Sequence, residues 1–383
     1  MKSAQYKFFT PTKLLFGEGC SDDVGKWLKE LGGSKVLLVT DEGIVKVGLA
    51  EQIRNRIQNE ELTVITYSEV RENPTVRNVH EGRDLIIKEK IDGIVAVGGG
   101  SSMDAAKAMS ILSVHDGSIT EYELGLRPFR QSGPPLVAVP TTSGTGSEAT
   151  MGAVITDQET HRKFDVVDPL MAPTLSLVDP LLTVSLPAAL TGATGMDALT
   201  HAIEGYTATL ASPLTDALHR EAIELLGKYL LRAYGDGSDK EARKNVMMAS
   251  MIAGVGFPNS GLGAVHGLSL PLGGHFNIPH GIANAIMLPH VMAYNLSSCP
   301  QKFGDIANAL DKKNNEPAEA VESVYQLRKA LNIPVLRSYN IETEDIPSLA
   351  KDALGRNSNC VTNPREVTEE DAKELYKRAL FEE

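Results

Sequence analysis

Cysteine is scarce in this 383-residue chain: three occur, at 20, 299 and 360, with no C-x-x-C pair among them. That excludes a disulfide framework and points to a reducing compartment. Positive charge is short as well. Thirty-seven Lys and Arg face 49 Asp and Glu, a formal net charge of −12, so the chain has no general pull on nucleic acid or anionic membrane. No window of about 18 apolar residues is free of charge, and Met1 to Phe9 holds no apolar run of signal-peptide length. The ending Ala379-Leu-Phe-Glu-Glu383 is no lipidation or retention signal. The expectation is a cytoplasmic protein with no nucleic-acid or membrane partner.

What is present is globular in composition, with 42% hydrophobic and 22% charged residues, enough to bury a sizeable core. At about 150 residues per domain, the length suggests two or three domains. Histidine carries the sharpest signal. Six of nine histidines fall between His201 and His290, where an even scatter would put about two, so that window is the first place to look for a metal.

The pattern changes near the middle. The first half alternates short apolar strands (35–40, 62–67, 93–97, 136–139) with helical stretches (45–59, 76–90, and one from Ser101). Strands so separated indicate βαβ units and a parallel, Rossmann-like sheet. Shorter strands are read at 153–156, 163–167 and 174–178. After Leu182 helical patterns dominate: 196–210, 215–233, 240–255, 282–294, 317–331 and 368–380. The boundary falls near Asp179-Pro180 and Pro187, giving an α/β domain over 1–183 and an all-α domain over 184–383, with a site expected in the cleft between them.

Two loops of the first half suit a phosphate-bearing ligand. Gly98-Gly99-Gly100-Ser101-Ser102 follows a strand and opens a helix containing Asp104. Glycines admit close backbone approach, and a helix N-terminus offers free N–H groups. A tight turn with no ligand has the same sequence. The run is not G-x-G-x-x-G, since Met103 stands where the last glycine belongs, and no Walker A loop occurs. The best acid, Asp41, lies 57 residues before the glycines rather than about 20 after them. Pro140-Thr141-Thr142-Ser143-Gly144-Thr145-Gly146-Ser147-Glu148 follows a second strand, and its hydroxyls suit phosphate or ribose oxygens or their own backbone.

The second half offers metal ligands. Asp197 and His201 are four apart in a helical run, so they share one face. Alone such a pair reads as a helix salt bridge or hydrogen bond. His266 and His280 bracket a segment too rich in Gly and Pro for one helix, which is expected to fold back and bring its ends together. One carboxylate and three imidazoles suit Zn²⁺ or Fe²⁺. On spacing alone His275 or His290 serves equally well, and His219 reads as a helix-surface residue.

In order along the chain stand Phe16-Gly17, Val39-Thr40-Asp41, Asn73-Pro74-Thr75, GGGSSMDAAKA (98–108), PTTSGTGSE (140–148), GMDALTHAIEGY (195–206), GLGAVHG (261–267) and the stretch from Pro271 to Pro289. This series resembles the iron-containing (group III) alcohol dehydrogenase family over essentially the whole chain, and within it the members acting on short alcohols and diols. The resemblance implies a dehydroquinate synthase-like fold, a homodimer or higher homo-oligomer, NAD as cofactor, and Fe²⁺ (or Zn²⁺) held by Asp197, His201, His266 and His280. It places the pyrophosphate on Gly98, Gly99, Gly100, Ser101 and Ser102. Ribose and nicotinamide contacts fall on Thr141, Thr142, Thr145, Ser147 and Lys163, with Asn73 and Asp104 in the same cofactor set. The implied reaction is hydride transfer between NAD(H) and a small alcohol or aldehyde. Where relatives often carry a further histidine, four residues after the third ligand, this chain has Leu270. His275 is the nearby candidate for proton transfer, beside His266 and His280. Glycerol dehydrogenase-like and dehydroquinate synthase-like enzymes share the architecture, but the Asp197/His201 pair and the PTTSGTGSE loop favour the alcohol group. A nucleotide-binding protein without turnover would be expected to lose a metal ligand, and all four candidates are present.

The resemblance also places at Asp41 the position that discriminates NAD from NADP, and this yields a first prediction. A carboxylate at that position accepts from ribose hydroxyls and repels a 2′-phosphate. Catalytic efficiency should be higher with NAD than with NADP, and equal or better efficiency with NADP would refute the assignment.

Overall fold

The apolar runs KVLLVTD, GIVAVG and LVAVP become the central strands of a parallel sheet. The computed structural model describes residues 5–160, 162–310, 315–355 and 359–382. Among these, the strands are β1 (Lys13–Phe16), β2 (Lys35–Asp41), β3 (Thr63–Val70), β4 (Gly93–Gly98), β5 (Leu136–Pro140), β6 (Gly152–Asp157), β7 (Arg162–Val167) and β8 (Leu175–Val178). Six form one sheet in the order β1-β8-β5-β4-β2-β3. Helices α1 (Val24–Glu30), α2 (Glu42–Lys46), α3 (Leu49–Gln58), α4 (Val76–Glu89) and α5 (Gly100–Leu112) connect them. The expected α/β class is found.

Alternation explains why both faces are covered. Val36, Leu38, Val95, Val97, Val137 and Val139 point one way, onto Leu28, Ile53 and Ile57. Leu37, Val39, Ile94, Ala96, Leu136 and Ala138 point the other way, onto Ile86, Met103, Ala106 and Met109. The three shorter strands are found where they were read, and one further strand is added. The four-residue edge strand β1, paired with β8, has no pattern long enough to announce it. The runs at 153–156 and 163–167 form their own antiparallel hairpin, β6–β7, and only the third, β8, joins the main sheet.

The second half is helical: α6 (Ala188–Thr207), α7 (Pro213–Gly235), α8 (Lys240–Ser260), α9 (Ala264–Phe276), α10 (His280–Asn295), α11 (Pro300–Ala309), α12 (Pro317–Ala330), α13 (Ile346–Ala353) and α14 (Glu369–Leu380). The chain separates into two compact units, Thr10–Val184 and Ser185–Glu383 joined by Met1–Phe9. Phe9 belongs with the helices because its N–H donates to Asn259 Oδ1 at 2.7 Å and its carbonyl accepts from Asn259 Nδ2 at 3.1 Å.

The segment from His266 to His280 is, as expected, not one helix and brings its ends together, but the break falls later than its Gly and Pro content suggests, because Ala264–Phe276 is one helix with Pro271 inside it. Pro271 removes one backbone bond, but Ala264 through Ser269, and Pro271 through Gly273, are buried, and packing outweighs that loss. The chain then turns through Asn277, at φ +54°, into α10.

His219 is not a surface residue. It is fully buried on α7, with Nε2 3.0 Å from Ser260 Oγ, and a Cβ at Gly205 or Gly256 would overlap its ring. Burial, with Lys302 nearby, pushes its pKa down to about 3. The unfolded chain takes up a proton near the ordinary histidine value while the folded one does not. The stability due to neutral His219 is therefore complete above about pH 6.5 and is lost as pH falls toward 3, at about 1.4 kcal/mol per pH unit. Denaturant titrations across that window should show a shallower pH slope for His219→Gln than for the native protein. Parallel slopes would contradict this.

Candidate functional site

The dinucleotide half of the expected site sits at the carboxyl ends of β2, β4 and β5. Because β2 pairs directly with β4, Asp41 arrives beside the glycine turn despite its distance in sequence. Gly98 takes φ +150°, open only to glycine, and a Cβ on it would press on Ser102 and lie 3.2 Å from Asp41 Oδ2. Ser102 Oγ donates to that oxygen at 3.2 Å, and Asp41 Oδ1 caps α2 by accepting from Ile44 N at 3.0 Å. Gly98 is also the register partner of Pro140, and Thr141 N donates to Gly98 O at 2.9 Å. The glycine turn and the hydroxyl loop thus start from neighbouring strand ends. Gly99, the N-cap of α5, has no side-chain cap, and no acidic residue sits in the first turn, which leaves an anion-attracting helix end. Thr141 Oγ1 is buried without a hydrogen-bond partner among the described residues. A Cβ on Gly99 would meet Thr142, and one on Gly100 would meet Thr145. Ser101 Oγ donates to Glu72 O.

Asp104 and Ser147 are turned toward each other rather than outward. Ser147 Oγ donates to Asp104 Oδ1 at 2.6 Å, and Val154 N donates to Oδ2 at 2.9 Å. Lys107, fully buried, donates to Ser147 Oγ (2.7 Å), Thr150 Oγ1 (3.0 Å) and Gly152 O (2.9 Å). Beside this knot the Glu148 carboxyl is pushed up to about 7 by burial. Lys163 donates to Asn73 Oδ1 at 2.8 Å, since Thr156 N on the neighbouring strand binds Pro74 O at 2.8 Å.

In the helical unit, one ligand atom from each of Asp197, His201 and His266 lies within 4.8 Å of the others. All three residues are at most 5% exposed. His280 Nε2 stands 3.6 Å from Asp197 Oδ1, and its ring centroid is 5.3 Å from that of His266. Helix α6 supplies Asp197 and His201 from one face; His266 comes from the first turn of α9 and His280 from the first residue of α10. Phe257 stacks on His201 at 4.5 Å. Burial raises the Asp197 carboxyl, but His201, His280, His266 and a bond from Asn284 outweigh it, and its pKa lies below the ordinary value.

Glu204 escaped the sequence reading as a functional residue. Its Oε2 is 2.5 Å from His266 Nδ1, and its Oε1 accepts from Val265 N at 2.6 Å. It stands seven residues after Asp197 and three after His201, the same helical face, and that spacing was the available signal. Asn284, four residues after His280 on α10, and Lys107 were missed too. His275 and His290 are not gathered into the cluster. Because α9 runs unbroken, His275 lies nine residues beyond His266, roughly 14 Å along the axis, and its Nε2 is 2.7 Å from Asp352 Oδ2. Its expected proton-transfer role is not retained. His290 Nε2 is 3.1 Å from Glu382 Oε2.

Comparison with known proteins bears on both of these sites. The family model for "iron-containing alcohol dehydrogenase" matches residues 11–180, and that for the "Fe-containing alcohol dehydrogenase family, C-terminal" matches 191–380. The chain belongs to the iron-containing alcohol dehydrogenase family. As a member it is an oxidoreductase that interconverts alcohols and aldehydes. A choline dehydrogenase of Bacillus subtilis is 41% identical over 98% of this chain and 95% of its own length. An NAD-dependent methanol dehydrogenase of Bacillus methanolicus is 39% identical over 97% and 99%. The solved structure of a 1,3-propanediol oxidoreductase superposes with a TM-score of 0.94 at 38% identity, covering 98% of this chain and all of that one.

In this iron-type dehydrogenase the Glu204 contact fixes which ring nitrogen of His266 faces the cluster. Glu204→Gln should weaken divalent-metal affinity by roughly 10- to 100-fold, measured by competition with a chelator. An unchanged affinity would show that Glu204 only packs α9 against α6.

Proposed function

We propose that the chain interconverts small primary alcohols or diols and their aldehydes by reversible hydride transfer to and from NAD, with Fe²⁺ at the buried cluster and Zn²⁺ as the alternative ion. The observation that carries this is the convergence of Asp197, His201 and His266 in a nearly dry site, with His280 beside them. A carboxylate with imidazoles is a donor set that suits either ion. The uncapped α5 terminus and the unpaired Thr141 hydroxyl suit the cofactor on the other unit. Residues 10–184 are assigned to the dinucleotide and 185–383 to metal and substrate.

When bound, the ion supplies Lewis acidity toward the substrate oxygen and the nicotinamide carries the hydride. The protein's part is positioning. Asp197, His201, His266 and His280 are assigned as ligands. Glu204 holds His266 by Nδ1, so Nε2 faces the cluster. The His280 side chain is 34% exposed where Asp197 is 3%, so the cluster opens on its side. Gly98 to Ser102 are assigned to the pyrophosphate, Asp41 to the adenosine ribose, and Thr141, Thr142, Thr145, Asn73 and Lys163 to the remaining cofactor contacts. Asp104 and Ser147 move from direct contact to support, because their side chains bind each other and Lys107. The reading includes a cytoplasmic setting, supported by scarce cysteine, and a homodimer or higher homo-oligomer. Among the described residues no helix is long and apolar enough to cross a membrane.

Replacing ligands tests the assignment. His266→Ala and His280→Ala should each lose bound metal on dialysis. NAD-dependent alcohol oxidation should fall by more than the roughly 10- to 100-fold that loss of an outer partner costs. Metal content and activity equal to the native protein in folded variants would remove the site.

A further inference from the structure

Asn284 occupies an unusual place. It is fully buried on α10, one turn beyond His280, and its amide nitrogen faces three of the four assigned ligands. Nδ2 stands 2.7 Å from Asp197 Oδ1, 3.2 Å from His266 Nε2 and 3.1 Å from His280 Nε2. Its own Oδ1 has no hydrogen-bond partner among the described residues. The amide is therefore oriented by its N–H side alone, at the cost of leaving a buried carbonyl unsatisfied.

The chemistry of the cluster explains why a donor belongs there. His266 Nδ1 is taken by Glu204, so its Nε2 presents a lone pair. Asp197 presents oxygens. Acceptors converging in a buried space repel one another unless a positive or hydrogen-bearing group stands among them. An amide nitrogen carries two hydrogens and no charge. It satisfies acceptors without neutralising them and leaves no ion to be expelled when a metal enters.

We propose that Asn284 is a positioning residue that holds Asp197, His266 and His280 in their ion-accepting arrangement before the metal arrives. The proposal rests on the metal-site reading above. Its consequence is that the free energy of arranging the site is met by the fold and not drawn from metal binding.

The test compares the native protein, Asn284→Ala and Asn284→Asp, each stripped with a chelator and confirmed folded by circular dichroism. The readouts are the thermal midpoint of the metal-free protein and the Co²⁺ dissociation constant from chelator competition. Asn284→Ala should lower the metal-free midpoint and weaken Co²⁺ binding by roughly 10- to 100-fold. Asn284→Asp adds an acceptor and a charge, so it should lower the metal-free midpoint further yet bind Co²⁺ at least as tightly as the native protein. Equal or tighter Co²⁺ binding by Asn284→Ala overturns the proposal, because Asn284 would then be inert or a competitor of the ion. Equal weakening in both variants also overturns it, since that is the signature of lost packing. If Asn284→Ala does not fold, Asn284→Asp decides alone: a lower midpoint with retained affinity supports the proposal and reduced affinity overturns it. Failure of the native protein to bind Co²⁺ removes the metal-site reading itself, and the proposal with it. Tight native binding matched by Asn284→Ala removes only the proposal.

Discussion

The bond between Glu204 and His266 is the constraint on which the metal half of the molecule depends. A carboxylate this deeply buried costs several kcal/mol unless it is paired. Glu204 has two donors, an imidazole N–H and the backbone N–H of Val265 at the head of α9. One side chain thereby fixes the ring orientation of His266 and pins α9 against α6. The remaining ligands follow from that placement. Asp197 and His201 lie on the same face of α6 as Glu204, and the turn through Asn277 leads directly to His280. The cluster is thus the meeting point of three helices, α6, α9 and α10.

The α/β unit solves a different problem with the same economy. Its candidate site is built on two loops, so what needs fixing is their path. Strand order does most of this. Placing β4 between β2 and β5 delivers Asp41, the glycine turn and the hydroxyl loop to one edge of the sheet, where open α/β sheets bind ligands. Lys107, Asp104 and Ser147 then tie the second loop to the helix that begins at the first.

Much of this could be read from the residues, for identifiable reasons. The glycine turn was readable because three glycines stand at the junction of a strand and a helix, and at Gly98 the backbone itself, at φ +150°, requires glycine. Asp197 and His201 were readable because helical spacing announces a shared face. Asp41 could be proposed but not placed, since nothing local says that β2 will neighbour β4. The failures share a cause. The helix through Pro271, the burial of His219 and the displacement of His275 are all set by packing between elements distant in sequence. Local propensity argued for a break early in the stretch from His266 to His280, and tertiary burial carried the helix on to Phe276 before the chain turned. Once that helix runs unbroken, His275 cannot stay near His266 however close the two are in sequence. Glu204 was within reach of the same spacing rule that found His201, but a glutamate on a helix invites the reading of a solvated face.

Lys107 bears on how this architecture can change. It sits on α5 behind the glycine turn, and its ammonium is shared among Ser147 of the second loop, Thr150 just after it and the Gly152 carbonyl at the head of β6. Neither loop is then an independent module. Exchanging the 141–150 segment with that of another protein would take two of three partners from a buried amine, and exchanging the glycine turn with its helix would strand three acceptors. The smallest piece that can be transplanted, or that can diverge without a compensating change, is the pair of loops with α5 between them. Asp41 lies outside that knot and can change alone, while the glycine turn and the hydroxyl loop change together.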